Sequence, residues 1–219
     1  MAGYAFVVML SPHHVAGSYD RRDMGKVLDE IDDAVRRFIE AQHVFFVGTA
    51  PLSAKGHVNV SPKGLDSLRI LGPRTLAYLD QVGSGAETIA HARENGRIVL
   101  MFCAFQGPPK IVRVHGTADV IEPQDPEYAT LRDLFPRSPG GRAIIRVTVG
   151  RIADSCGFGV PLLSYERERS QLAQWAERKG ESGLRGYQEE KNSVSIDGLP
   201  ALRWPESAKD NTIKDNTVL

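Results

Sequence analysis

The run Arg97-Ile98-Val99-Leu100-Met101-Phe102-Cys103-Ala104-Phe105, followed by the alternating stretch from Lys110 to Ile121, decides the fold. The first run is apolar and rich in β-branched and aromatic residues, which predicts a strongly buried strand. The second alternates over a long span, with Gly116 as a candidate bulge. Upstream, Ala86 to Glu94 reads as a short helix that Asn95-Gly96 ends. Before it come four β-like segments: Val44 to Thr49, His57 to Ser61, Ser67 to Leu71 and Thr75 to Asp80, the last two split by a turn at Gly72-Pro73. Val27, Leu28, Ile31, Ala34, Val35, Phe38 and Ile39 have helical spacing with one apolar face. Downstream, Pro126 to Phe135 reads as a helix and Ala143 to Ile152 as a strand. After Pro161 a helical pattern carries Leu172, Trp175 and Ala176 on one face, breaks at Gly180 and Gly183, and resumes near Leu184.

Strands in this order do not alternate with helices as βαβ units. The prediction is an α+β chain, mainly β: an antiparallel barrel with helices packed on its outside and a C-terminal helical appendage over residues 164–193. Residues 24–206 form the one domain. Residues 1–23 read as a peripheral N-terminal extension, with Met24 as a natural start, and residues 207–219 as a flexible polar tail.

Composition narrows the function. The 219 residues hold 27 basic and 27 acidic side chains, so there is no basic excess for nucleic acid or an anionic membrane. No apolar run approaches the length of a membrane span. Cys103 sits in an apolar run and Cys156 among glycines. Two lone thiols make neither a disulfide framework nor a zinc pattern, and a reducing, cytoplasmic setting is expected. The six histidines show no metal spacing.

Two stretches could carry chemistry. In His57-Val58-Asn59-Val60-Ser61-Pro62-Lys63-Gly64, strand alternation projects Asn59, Ser61 and Lys63 on one face, an amide, a hydroxyl and an ammonium suited to an anion; from this stretch alone a solvated edge strand is the favoured reading. In Tyr78-Leu79-Asp80-Gln81-Val82-Gly83-Ser84-Gly85-Ala86-Glu87-Thr88, a glycine-rich loop leads into a helix whose N–H groups suit a phosphate. Ser84 and Glu87 also have capping-box spacing, so the Ser84 hydroxyl is claimed by two readings. Ser155-Cys156-Gly157-Phe158-Gly159-Val160-Pro161 reads as a turn leaving the barrel.

Those two stretches, with Leu100 to Phe105, resemble the pyridoxamine 5′-phosphate oxidase-like, FMN-binding split-barrel proteins. The Ser155–Pro161 turn and Lys-Asn-x-x-Ser-Ile-Asp-Gly-Leu-Pro at Lys191–Pro200 resemble an uncharacterised branch of them, over roughly residues 24–204. The resemblance implies a split β-barrel and a homodimer with FMN at the subunit interface. It implies cofactor contacts from Asn59, Ser61, Lys63, Tyr78, Ser84, Gly85 and Thr88. Val58 stands where the true oxidases carry an Arg, Leu79 where they have a Thr, and Ala86-Glu87-Thr88 where they have Ser-Arg-Lys. The expectation is therefore an FMN-binding oxidoreductase of unknown substrate and unassigned catalytic residue, without vitamin B6 oxidation. The alternative is a non-enzymatic barrel that holds a flavin, a deazaflavin or haem as carrier or sensor.

Overall fold

The computed structural model describes residues 25–204. The expectations for residues 1–23 and 207–219 lie outside that range. Eight antiparallel strands form one sheet: β1 (Val27–Leu28), β2 (Phe45–Thr49), β3 (Asn59–Lys63), β4 (Leu68–Gly72), β5 (Thr75–Gln81), β6 (Arg97–Cys103), β7 (Ile111–Ile121) and β8 (Gly141–Ser155). The order is β3-β2-β6-β7-β8-β5-β4, with β1 paired to β8. The helices are α1 (Asp33–Glu40), α2 (Glu87–Asn95), α3 (Tyr128–Arg132) and α4 (Gln171–Lys191). This is the split β-barrel with flanking helices that the strand pattern predicts.

The core follows from alternation. Leu76 and Tyr78 on β5 face Val147 and Ile145 on β8, their register partners, inside a cluster shared with Phe45, Val47, Leu100, Phe102, Val112 and Val114. Ala77 and Leu79 point the other way, onto Ile121, Ile144 and Phe135 beside α3. Strand β5 is thus buried on both faces, which explains why its sequence hardly alternates. Gly116 sits at a register shift between β7 and β8, where an added Cβ would stand 2.2 Å from the Thr148 carbonyl oxygen. The predicted bulge is real and excludes a side chain.

Several boundaries differ from the sequence reading. The first helix does not start at Val27. Val27 and Leu28 pair with Ala153 and Ile152 of β8, and Asp32 caps the helix by accepting the Val35 N–H at 2.7 Å. The predicted Pro126–Phe135 helix shrinks to α3, whose five residues are none of them buried. Residues 161–170 are exposed and belong to no helix or strand, so the C-terminal helix begins only at Gln171. That helix breaks at Gly180, where φ is 64°. Pro62 lies within β3 without disturbing it, because β3 is an edge strand.

Candidate functional site

The ends of the curled sheet meet at three charged side chains. Lys63 of β3 donates to Asp80 Oδ1 of β5 at 2.8 Å. Arg142, at the start of β8, donates from Nε to Asp80 Oδ2 at 2.7 Å and from Nη1 to the Gly85 carbonyl at 2.8 Å. Asp80 is completely buried and Arg142 nearly so. Burial by itself would raise the Asp80 pKa, but Arg142 and then Lys63 overcome it and hold the carboxyl at about 2. The carboxylate therefore stays charged and orients both cations. Lys63 Nζ makes one of its three possible hydrogen bonds this way, so donors remain on it for a ligand.

Lys63 and Arg142 border a cavity of about 400 Å³ walled by β3, by the Gly64-Leu65 turn and by the Gly83-Ser84-Gly85 loop. Of the residues singled out in the sequence, Asn59, Ser61, Lys63, Ser84 and Gly85 line it, and so do Ser67 and Arg142. The odd residues of β3 are half-buried and the even ones exposed, so the predicted shared face exists. The hydroxyls of Ser61 and Ser67 are buried and have no hydrogen-bond partner among the described residues. A buried hydroxyl without a partner costs about 1–3 kcal/mol, and two of them on one cavity wall mark a place suited to a polar ligand. A second hollow of about 700 Å³ adjoins it and shares Pro62, Lys63, Gly64, Leu65 and Leu172 with the first.

Three expectations need correction. Tyr78 does not line this cavity. It is fully buried against Phe45, edge to face at 5.7 Å, and burial first, then the Asp80 charge, hold its phenol well above the usual range. Thr88 is buried as well, and its Oγ1 accepts from Asn59 Nδ2 at 2.9 Å. The same Asn59 nitrogen donates to Thr49 Oγ1 at 3.1 Å, and Thr49 Oγ1 lies 3.0 Å from His91 Nδ1. Burial lowers the His91 pKa, which favours the neutral ring. This network braces α2 against β2 and β3, and leaves Asn59 only its amide oxygen for a ligand. Third, Ser84 caps nothing. The N-cap of α2 is Ala86, without a side-chain bond. The Glu87 carboxylate folds back over Gly85, where a Cβ would meet Oε2 at 2.4 Å, and accepts the Ile196 N–H at 3.3 Å. It already complements the positive end of the helix, so an anion is better served on the Ser61–Lys63–Arg142 side.

Arg142 was missed from sequence. A single arginine between Gly141 and Ala143 gives no motif, and its partner Asp80 lies 62 residues away. A charged residue opening an apolar strand was the one available signal. Among the described residues, no group of three or more His, Cys, Asp or Glu side chains could hold a metal ion. No described helix is long and apolar enough to cross a membrane.

Fold and seam define a class: an antiparallel split barrel closed by a lysine, an aspartate and an arginine beside a polar cavity. Comparison with known proteins narrows it. The family model for pyridoxamine 5′-phosphate oxidase matches residues 31–156. The pyridoxamine 5′-phosphate oxidase family protein ustO of Aspergillus flavus is 42% identical over 193 residues, which span 80% of this chain and 76% of that protein. The chain belongs to the pyridoxamine 5′-phosphate oxidase family. Among solved structures, HupZ of Group A Streptococcus is 22% identical with a TM-score of 0.43, over 56% of this chain and 91% of its own. An FMN-binding protein of Syntrophomonas wolfei is 17% identical with a TM-score of 0.40, over 60% of this chain and 85% of its own.

Proposed function

We propose that this chain is a homodimeric, FMN-binding oxidoreductase that acts on a small molecule. The observation that carries this reading is the pair of partnerless hydroxyls, Ser61 and Ser67, beside Lys63 and Arg142 in one cavity. Two hydroxyl donors and two cations suit a phosphate monoester, which takes several charge-assisted hydrogen bonds at once. Lys63, Ser61, Ser67 and Arg142 would hold the phosphate, and the Gly83–Gly85 loop and Asn59 would wall the chain that follows it. When bound, the flavin supplies the electron-accepting ring; the protein supplies binding, orientation and electrostatic tuning. The adjoining larger hollow is roomy enough for part of a planar ligand.

Dimerisation is supported by apolar side chains that the described residues leave uncovered. Val58, just before edge strand β3, is 74% exposed, Val60 on that strand 66%, and Ile196 67%. A second copy seated there would cover them and complete the site. Vitamin B6 oxidation is not part of the reading: Val58, at the position of the oxidase arginine, faces away from the cavity's residues.

Titration of purified, ligand-free protein with FMN tests the reading. Saturable quenching of flavin fluorescence at one FMN per subunit, in a protein that sediments as a dimer, supports it. A protein that ignores FMN contradicts it.

A further inference from the structure

Asp197 grips His57 with both carboxylate oxygens. Oδ2 accepts the His57 backbone N–H at 2.8 Å, and Oδ1 lies 2.7 Å from Nδ1. The side-chain bond to His57, then the backbone bond, hold the Asp197 carboxyl below the usual range, so it accepts only. Nδ1 must therefore carry a hydrogen, and Nε2 of the neutral ring keeps a free lone pair. The His57 side chain is 67% exposed, and Nε2 has no partner among the described residues. The grip is built with care. Ser195 Oγ accepts the N–H groups of Asp197 and Leu199 at 3.3 and 3.2 Å, and Gly198 turns the chain at φ 75°. A Cβ on Gly56 would stand 3.0 Å from Asp197 Oδ2.

The pair lies outside the cavity's lining but is joined to it by close neighbours. His57 is two residues before Asn59, and Ile196 is bonded to Glu87; both Asn59 and Glu87 line the cavity. The charged and titratable groups around it are on α2: His91 interacts electrostatically with Asp197, and Glu87 and Glu94 act on His91.

We propose that His57 is the proton-transfer residue of this site and Asp197 its positioning residue; this rests on the flavin reading above. The substrate class is a compound with an ionisable O–H or N–H. Its proton passes to Nε2, the O–H or N–H bond breaks, the electron pair stays on the substrate heteroatom, and the new imidazolium faces the Asp197 carboxylate. An oriented imidazole with one nitrogen fixed by a carboxylate and the other free is the geometry that general acid–base chemistry uses.

Diethyl pyrocarbonate, which acylates an unprotonated imidazole nitrogen, is the probe. The rate at His57 is followed by peptide mass spectrometry across pH in wild type, Asp197→Asn and Asp197→Glu, with and without FMN. The expected result is acylation several-fold faster in wild type than in Asp197→Asn, with Asp197→Glu between them, and slowing when FMN is bound. A rate indifferent to both Asp197 variants, or to bound FMN, overturns the proposal, because a mere latch at the surface would behave so. If FMN fails to bind wild type, the flavin reading falls, and the Asp197 rate comparison alone decides the chemistry of His57.

Discussion

Lys63 and Asp80 sit on strands at nearly opposite ends of the sheet order, yet Nζ and Oδ1 are 2.8 Å apart. No backbone ladder joins β3 to β5, so this ion pair, with Arg142 behind it, closes the seam of the split barrel. Two of the residues that bind the seam, Lys63 and Arg142, also line the cavity. Stability and ligand binding are therefore coupled there, and they can be separated by choosing which partner to remove.

Asp80 makes the fold sensitive to acid. Its folded pKa, about 2, lies below the usual carboxyl value of 3.8. A depressed carboxyl contributes stability that is present above its unfolded pKa and is lost as pH falls through the folded one. The contribution is about 2 kcal/mol and disappears between about pH 4 and pH 2. Urea unfolding at a series of pH values should show this loss in wild type. In Asp80→Asn that part of the pH dependence should vanish, from a lower starting stability.

Arg142→Met removes the buried guanidinium and leaves Asp80 with Lys63 alone. Breaking one side of a buried pair costs about 3–5 kcal/mol, more than replacing the whole pair. Chemical denaturation should find a loss of that size. Arg142→Met combined with Asp80→Leu should recover part of it.

Ser61→Ala and Thr88→Val should part company. The Ser61 hydroxyl is buried without a partner, so its removal should stabilise the ligand-free protein, by up to about 1–3 kcal/mol, while weakening FMN binding. Thr88 Oγ1 is the acceptor for Asn59, so its loss should destabilise the ligand-free protein by about 1–3 kcal/mol. Thermal melts with and without FMN distinguish the two.

The strands and their register logic were legible because alternation and β-branched runs speak locally: Gly116 as a bulge, and Asn59, Ser61 and Lys63 on one face, needed no tertiary information. What escaped was long-range. Tyr78 reads as a site residue until β5 is known to be buried on both faces, which places its ring among Phe45 and Phe102. Thr88 reads as a phosphate hydroxyl until Asn59 takes it. Ser84 and Glu87 have the spacing of a cap, but Glu87 turns towards Ile196, 109 residues on. Val27 and Leu28 fit a helical stripe, yet an open edge of β8 offered them a better set of hydrogen bonds.

The central claim is that Lys63, Ser61, Ser67 and Arg142 form a phosphate site. Comparing FMN with riboflavin, which lacks only the phosphate, tests it most directly. Charge-assisted hydrogen bonds contribute about 1.5–3 kcal/mol each, so FMN should bind at least tenfold more tightly than riboflavin. Lys63→Ala should remove most of that difference while leaving riboflavin affinity unchanged. Equal affinity of the wild-type protein for the two flavins, or a preference for FMN that survives Lys63→Ala intact, would contradict the assignment.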